Sequence, residues 1–172
     1  EYFALISAFR FVKGAKEQVR INRYSVTKNE LNDFINSFPF EFTDGQIRAT
    51  DEIYSDLTGQ TVMNRLLQGD VGSGKTAVST CALFMAVKSG YQAVMLAPTE
   101  VLARQNYNAV KKAFPDYNVG LITGSMTAKE KREMKTAVEQ GWINVLVGTH
   151  AVLEDDVKFK KLSLCICDEQ QR

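Results

Sequence analysis

Gly69-Asp70-Val71-Gly72-Ser73-Gly74-Lys75-Thr76 fits the pattern GxxxxGK[ST] at every fixed position. Glycine makes up about 7% of ordinary sequence, so a chance match in a chain this long falls well under ~1 in 100. Glycines let a backbone wrap closely around a polyphosphate and turn N–H groups and a helix N-terminus toward its negative charge. Lys75 then reaches the β- and γ-phosphates, and the Thr76 hydroxyl can hold Mg²⁺. The flanks agree with such a loop: Asn64–Gln68 reads as a strand entering it, and Ala77–Val87 as a helix leaving it. Nucleotide binding is the chemistry these eight residues specify.

Hydrolysis of a bound nucleotide needs an acidic group at the end of a neighbouring buried strand. Leu162-Ser163-Leu164-Cys165-Ile166-Cys167 is an apolar run that delivers Asp168 and Glu169 in tandem. At the carboxyl edge of a parallel sheet, Asp168 would stand beside the magnesium. Glu169 would orient or deprotonate an attacking water, and the pair argues for hydrolysis over transfer to a small acceptor. Cys165 and Cys167 alternate around Ile166 and read as core thiols of a strand buried on both faces. With Cys81 they make three cysteines without CxxC spacing, which suits free thiols in a reducing cytosol and not metal ligands.

The elements that must position these groups follow from periodicity. Arg65–Gln68, Ala93–Leu96, Val119–Thr123, Val145–Val147 and Leu162–Cys167 are short apolar runs suited to buried strands. Helical patterns lie between them: Lys75–Ser89 ending at Gly90, Glu100–Ala113 stopping before Pro115, and Thr127–Gln140 ending at Gly141. Thr127 and Glu130 form a capping box. Strand–helix alternation of this length predicts an α/β fold, a parallel sheet with helices on both faces.

Residues 1 to about 37 differ. Phe3, Ile6 and Phe9 recur at helical spacing, widened by Leu5 and Val12, and Thr27 and Glu30 predict a short capped helix ending near Ser37. Arg10, Lys13, Lys16, Arg20, Arg23 and Lys28 face a single Glu17, as a solvated face or a phosphate-contacting strip. With no core of its own, this piece reads as an adaptor packed on a neighbour. Phe38-Pro39-Phe40 then breaks the pattern.

The chain's 172 residues make roughly one domain with a little left over. Hydrophobic content of 45% and charged content of 24% exclude disordered and low-complexity classes. No run approaches the ~18 apolar residues of a membrane span, and Glu1–Phe11 lacks a basic leader, so a cytoplasmic protein is expected. A net charge of +1 gives no bulk attraction to nucleic acid, so any such binding rests on local placement of charge.

In order along the chain, six segments together resemble the first motor lobe of superfamily 2 helicases. They are Phe38–Gln46, Met63–Thr76, Ala97-Pro98-Thr99-Glu100 with Val101-Leu102-Ala103, Thr123-Gly124-Ser125 with Val147-Gly148-Thr149-His150, and Asp168–Arg172. Within that superfamily the chain is most similar to the RecG type, translocases of branched DNA. The resemblance implies a RecA-like lobe over 38–172, with 1–37 as a helical connector from an N-terminal wedge domain that these residues do not contain. It implies ATP and Mg²⁺ as cofactors, with Gln46 and the aromatic cluster around Phe40 at the adenine and Gly69, Asp70, Val71, Gly72, Ser73, Gly74, Lys75 and Thr76 around the phosphates. Lys75, Asp168, Glu169 and Gln171 would be catalytic, Thr76 and Asp168 the metal residues. Pro98, Thr99, Glu100, Thr123, Gly124, Ser125, Gly148, Thr149 and His150 would face the DNA backbone. Each of these last segments follows an expected strand, where hydroxyls and N–H groups can hold phosphates without reading bases. Thr99 and Thr127 also suit helix caps.

RecG-type motors usually carry His where this chain has Gln171, and Gln there is typical of the related transcription-repair coupling translocases. The form of Ala97–Glu100 and Ser73 after Gly72 favour the RecG type. A P-loop kinase would need an Arg-rich lid and a transport ATPase a Ser-Gly-Gly-Gln signature; neither occurs. The resemblance implies a second motor lobe beyond Arg172 carrying arginines that complete the ATP site. The chain alone is therefore expected to hydrolyse ATP negligibly and to bind branched or double-stranded DNA weakly.

Overall fold

A computed structural model describes residues 22–149 and 157–168. The expected helical pattern of Phe3–Val12, the basic residues Arg10–Arg20, and His150, Glu169 and Gln171 lie outside the described residues.

Helix α1 (Lys28–Asn36) starts at Thr27 with the expected capping box to Glu30 and buries Leu31 and Phe34. Helix α2 (Asp44–Thr58) has a second box, Thr43 with Gln46, a spacing present in the sequence that apolar periodicity does not reveal. Helix α3 (Lys75–Lys88) leads through Gly90 into strand β1 (Gln92–Ala97). Helix α4 (Glu100–Ala113), strand β2 (Val119–Ile122), helix α5 (Ala128–Glu139), strand β3 (Val145–Thr149) and strand β4 (Leu162–Cys167) follow. The four strands are all parallel, in the order β2-β3-β1-β4.

Alternation along β1 splits the core between the two faces of the sheet. Ala93 and Met95 join α1, α3 and the end of α4 in the larger cluster, while Val94 and Leu96 meet Val138 of α5 in the smaller. An aromatic stack ties α1 to the larger cluster: Phe34 lies parallel to Phe84 of α3 at 4.1 Å and 5.5 Å from Phe114. α1 therefore packs on the lobe, as an element without its own core must.

Three expectations are corrected. Residues 22–27 are not helical; they run without regular structure, with Ser25 and Val26 donating their N–H groups to Ser89 Oγ and Tyr24 bonded to Ser163. Thr27 needs extended backbone to cap α1, which stops a helix from running through it. The run Arg65–Gln68 is apolar enough for a strand but pairs with none of the described strands: Leu66 is 66% exposed and Arg65 turns to Glu52 and Asp56 of α2. A strand exists only with a hydrogen-bonded neighbour, and a run of apolar residues does not supply one. Cys165 and Cys167 are exposed, not core thiols. Burial on both faces holds for the central strands β1 and β3, whereas β2 and β4 are edges of the described sheet. The two thiols share a hydrogen bond that draws Cys167 down to about 7. Of the basic strip, Arg23 and Lys28 are within the described residues: Arg23 is exposed and Lys28 pairs with Asp51.

Gln92 is 5% exposed and makes four hydrogen bonds. Its Nε2 donates to Val138 O and Ile143 O at 2.9 and 2.8 Å, and its Oε1 accepts from the N–H groups of Lys160 and Lys161 at 2.8 and 3.0 Å. One side chain thus joins the end of α5, the entry to β3 and the entry to β4. Gln92→Leu is expected to destabilise the chain by about 3 kcal/mol or more, since each buried group left unpaired costs about 1–3 kcal/mol. Urea denaturation measures this; a loss under about 1 kcal/mol would mean that water replaces the amide.

Candidate nucleotide site and strand-end loops

Because the strands are parallel, their carboxyl ends share one edge of the sheet, where ligands of open α/β folds bind. Asp168 extends β4 there, its N–H donating to Leu96 O at 2.8 Å. A short turn joins the end of α3 to the start of β1, so α3 begins at that same edge. The topology therefore gathers the Gly69–Thr76 loop, Asp168, the residues after β1 and β2, and the end of β3.

The start of α3 is unlike the others. Helices α1, α2, α4 and α5 each open on a threonine whose hydroxyl accepts an N–H of the first turn: Thr27, Thr43, Thr99 and Thr127. α3 opens on Gly74, at φ +79°, with no side-chain cap. The first N–H groups of a helix need an acceptor, and no side-chain cap supplies one at Gly74. Lys75 curls over the loop, its ammonium donating to Gly69 O at 2.7 Å and Asp70 O at 2.8 Å. Ser73 N–H closes the turn onto Asp70 O at 3.1 Å, and Val71 points into solvent.

Gln46 is held on the loop. Its Oε1 accepts from Thr43 N–H at 2.9 Å and its Nε2 donates to Ser73 O at 2.8 Å. A Cβ on Gly74 would come within 2.2 Å of that Nε2 and push the amide off the loop, and the φ of +79° favours glycine there as well. Beside them Phe40 stacks on Phe42 at 5.9 Å and remains half exposed.

The loops after β1 and β2 are bound to each other. Glu100 accepts from Ser125 N–H at 2.8 Å and from Ser125 Oγ at 2.6 Å, and Thr123 Oγ1 lies 3.2 Å from Ser125 Oγ. A Cβ on Gly124 would stand 2.9 Å from Glu100 Oε1. Thr99 caps α4, and Pro98 is half-buried before it. Arg104 and Lys131 bring positive charge to the same place: Arg104 donates to Ser125 Oγ at 3.3 Å and Lys131 to Gly124 O at 3.0 Å. Gly148 and Thr149 end β3, in register with Leu96 and Ala97. The expected site segments thus meet at one edge, apart from His150, Glu169 and Gln171, which the described residues do not include.

The two Ser125 bonds hold the Glu100 carboxyl below its ordinary value of 4.5. A carboxylate with a lowered folded pKa contributes stability that is complete above the unfolded pKa and lost as pH falls through the folded one. The stability difference between the native chain and Glu100→Gln is therefore expected to be level above about pH 5 and to shrink below about pH 4.5. Thermal melts of both proteins across that range measure it; a difference that stays level to about pH 3 would show that the pair does not depend on the charge.

Sequence reasoning missed Asn106. It lies in the buried stripe of α4 with Ala103 and Val110, and its Nδ2 donates to Asp168 Oδ2 at 2.9 Å. A polar residue interrupting an apolar stripe was the available signal.

Residues 43–172 match the DEAD/DEAH box helicase family. The chain is 46% identical over 169 residues to the ATP-dependent DNA helicase RecG of Bacillus subtilis (strain 168), covering 97% of this chain and 24% of that protein. It is 43% identical over 174 residues to the ATP-dependent DNA helicase RecG of Aquifex aeolicus (strain VF5), covering 100% and 22%. The chain thus spans about a quarter of the length of the curated relatives it matches. The structure of RecG bound to a three-way DNA junction superposes with a TM-score of 0.84 at 39% identity, over 96% of this chain and 23% of that one. The UvsW helicase of bacteriophage T4 shares the fold, with a TM-score of 0.60 at 15% identity over 95% of this chain and 59% of that one.

Proposed function

We propose, from the premise that this chain belongs to the DEAD/DEAH box helicase family, that it is the first motor lobe of an ATP-driven translocase remodelling branched DNA. The observation that carries the reading is the uncapped start of α3 behind a loop held by Lys75 and Gln46, on the sheet edge that also bears Asp168 and the strand-end loops. Branched DNA as the substrate class is supported by the 43–46% identity to RecG helicases and by the RecG structure on a three-way junction.

In this reading the loop N–H groups and Lys75 bind the phosphates of ATP, while Gln46 and Phe40 meet the adenine. Thr76 and Asp168 offer hard oxygen donors, which suit Mg²⁺. Among the described residues no cluster of three or more His, Cys, Asp or Glu gathers, as befits a metal held by one carboxylate and substrate phosphates instead of a protein cage. The metal, when bound, neutralises charge developing on the phosphates. Glu169 directs the attacking water, and Gln171, able to donate and accept, relays nucleotide state to motion. The residues after β1, β2 and β3 hold the DNA backbone, with Arg104 and Lys131 adding charge that the net of +1 conceals. A second motor lobe and a wedge domain act in the same polypeptide. Among the described residues no helix is long and apolar enough to cross a membrane, and a cytoplasmic setting fits DNA as the partner.

The test is ATP turnover by a polypeptide joining this lobe to the second, with no DNA, linear duplex or a synthetic fork. Stimulation by the fork above linear duplex is expected. Stimulation by duplex without preference for the fork would favour a transcription-repair coupling motor, to which Gln171 also points. Turnover indifferent to DNA would overturn both.

A further inference from the structure

Asn106 is 6% exposed on the face of α4 turned to the sheet. A buried amide is costly unless its hydrogen bonds are made, and this one spends its Nδ2 on the carboxylate of a residue 62 positions away, Asp168 Oδ2 at 2.9 Å. An ionised carboxylate only accepts, so the amide must present its NH₂ to it. Backbone and side chain of Asp168 are thereby fixed from two directions. Its N–H is tied to Leu96 O at 2.8 Å, and the amide removes the broad freedom of the terminal carboxylate torsion.

We propose that Asn106 is a positioning residue for Asp168, holding Oδ2 so that Oδ1 is presented to the divalent cation that accompanies the nucleotide. This rests on the reading of Asp168 given above. A neutral donor suits this role because it orients the carboxylate without an opposing charge, so the attraction for a cation is kept. Lysine or arginine in the same place would orient it and cancel that attraction together. Partners of this kind, behind a metal ligand, commonly change metal affinity about 10–100-fold when removed.

The test uses this chain with Mn²⁺ and ATP, free Mn²⁺ being counted by electron paramagnetic resonance. Asn106→Leu, similar in volume but without the donor, is expected to weaken Mn²⁺ binding in the presence of ATP about 10–100-fold. ATP binding without metal should change less than about twofold by the same reasoning, because the hydrogen bond Asn106 makes is to Asp168, while Lys75 bonds to Gly69 O and Asp70 O. Asn106→His, whose ring places Nδ1 where asparagine places Nδ2, should restore the affinity. If the leucine variant does not fold, Asn106→Ala is measured instead with the same expectation. Native Mn²⁺ affinity in the leucine or alanine variant would overturn the proposal. So would equal losses with and without metal, which mark a purely structural role. Asp168→Asn separates the two levels. If it loses Mn²⁺ and Asn106→Leu does not, only the positioning role fails; if neither loses it, the reading of Asp168 fails as well.

Discussion

ATP turnover by this chain alone is expected to run about 10³–10⁵-fold below that of a polypeptide that adds the second motor lobe, measured as phosphate release at saturating MgATP. Phosphoryl transfer asks the protein for positioning and for charge stabilisation around the transferred group, and an arginine supplied from across a cleft accounts for factors of this size. In the proposed reading the sheet edge provides the floor of such a site: the uncapped start of α3, Lys75 and Asp168. The chain spans 24% of the Bacillus subtilis relative, so the opposing wall is sought in the remaining three quarters. Binding should survive where turnover does not, because the loop's N–H groups belong to this lobe. Turnover by the isolated lobe within about tenfold of the two-lobe protein would show that this edge is a complete active site.

Lys75→Met in the two-lobe polypeptide is expected to lower turnover about 10²–10³-fold, the usual consequence of removing one preorganised donor from developing charge. Methionine keeps the apolar stem of the side chain and deletes the ammonium, so packing at the start of α3 is little disturbed. Lys75 donates to Gly69 O and Asp70 O, two exposed carbonyls that water can serve, so the thermal midpoint should scarcely move. The decisive comparison is turnover against melting temperature. A variant that melts normally and turns over within about threefold of its parent would remove Lys75 from the chemistry.

Much of the fold is carried by short-range pattern. The capping boxes at Thr27 and Thr127 mark helix starts within one turn of chain, and the glycines that follow α3 and α5 mark their ends. Helix α4 and strand β4 have the limits their periodicity predicts, Glu100–Ala113 and Leu162–Cys167. The Thr43–Gln46 box is equally local, although apolar spacing alone does not disclose it. The second role of Gln46, on Ser73 O, spans 27 residues and needed the fold.

By itself, then, the sequence determined the Gly69–Thr76 motif, helices α1, α3, α4 and α5, and strands β1 to β4. All are written in windows of a few residues, where steric preference, capping and apolar alternation act directly on the chain. Only the tertiary structure decided which of the described strands became edges, exposing Cys165 and Cys167, and that Arg65–Gln68 found no partner strand among the described residues. It also decided the pairings of Glu100 with Ser125, Asn106 with Asp168, and Gln92 with the end of α5 and the entries to β3 and β4. A hydrogen bond between residues far apart depends on the register of every strand between them, and no local window contains that register.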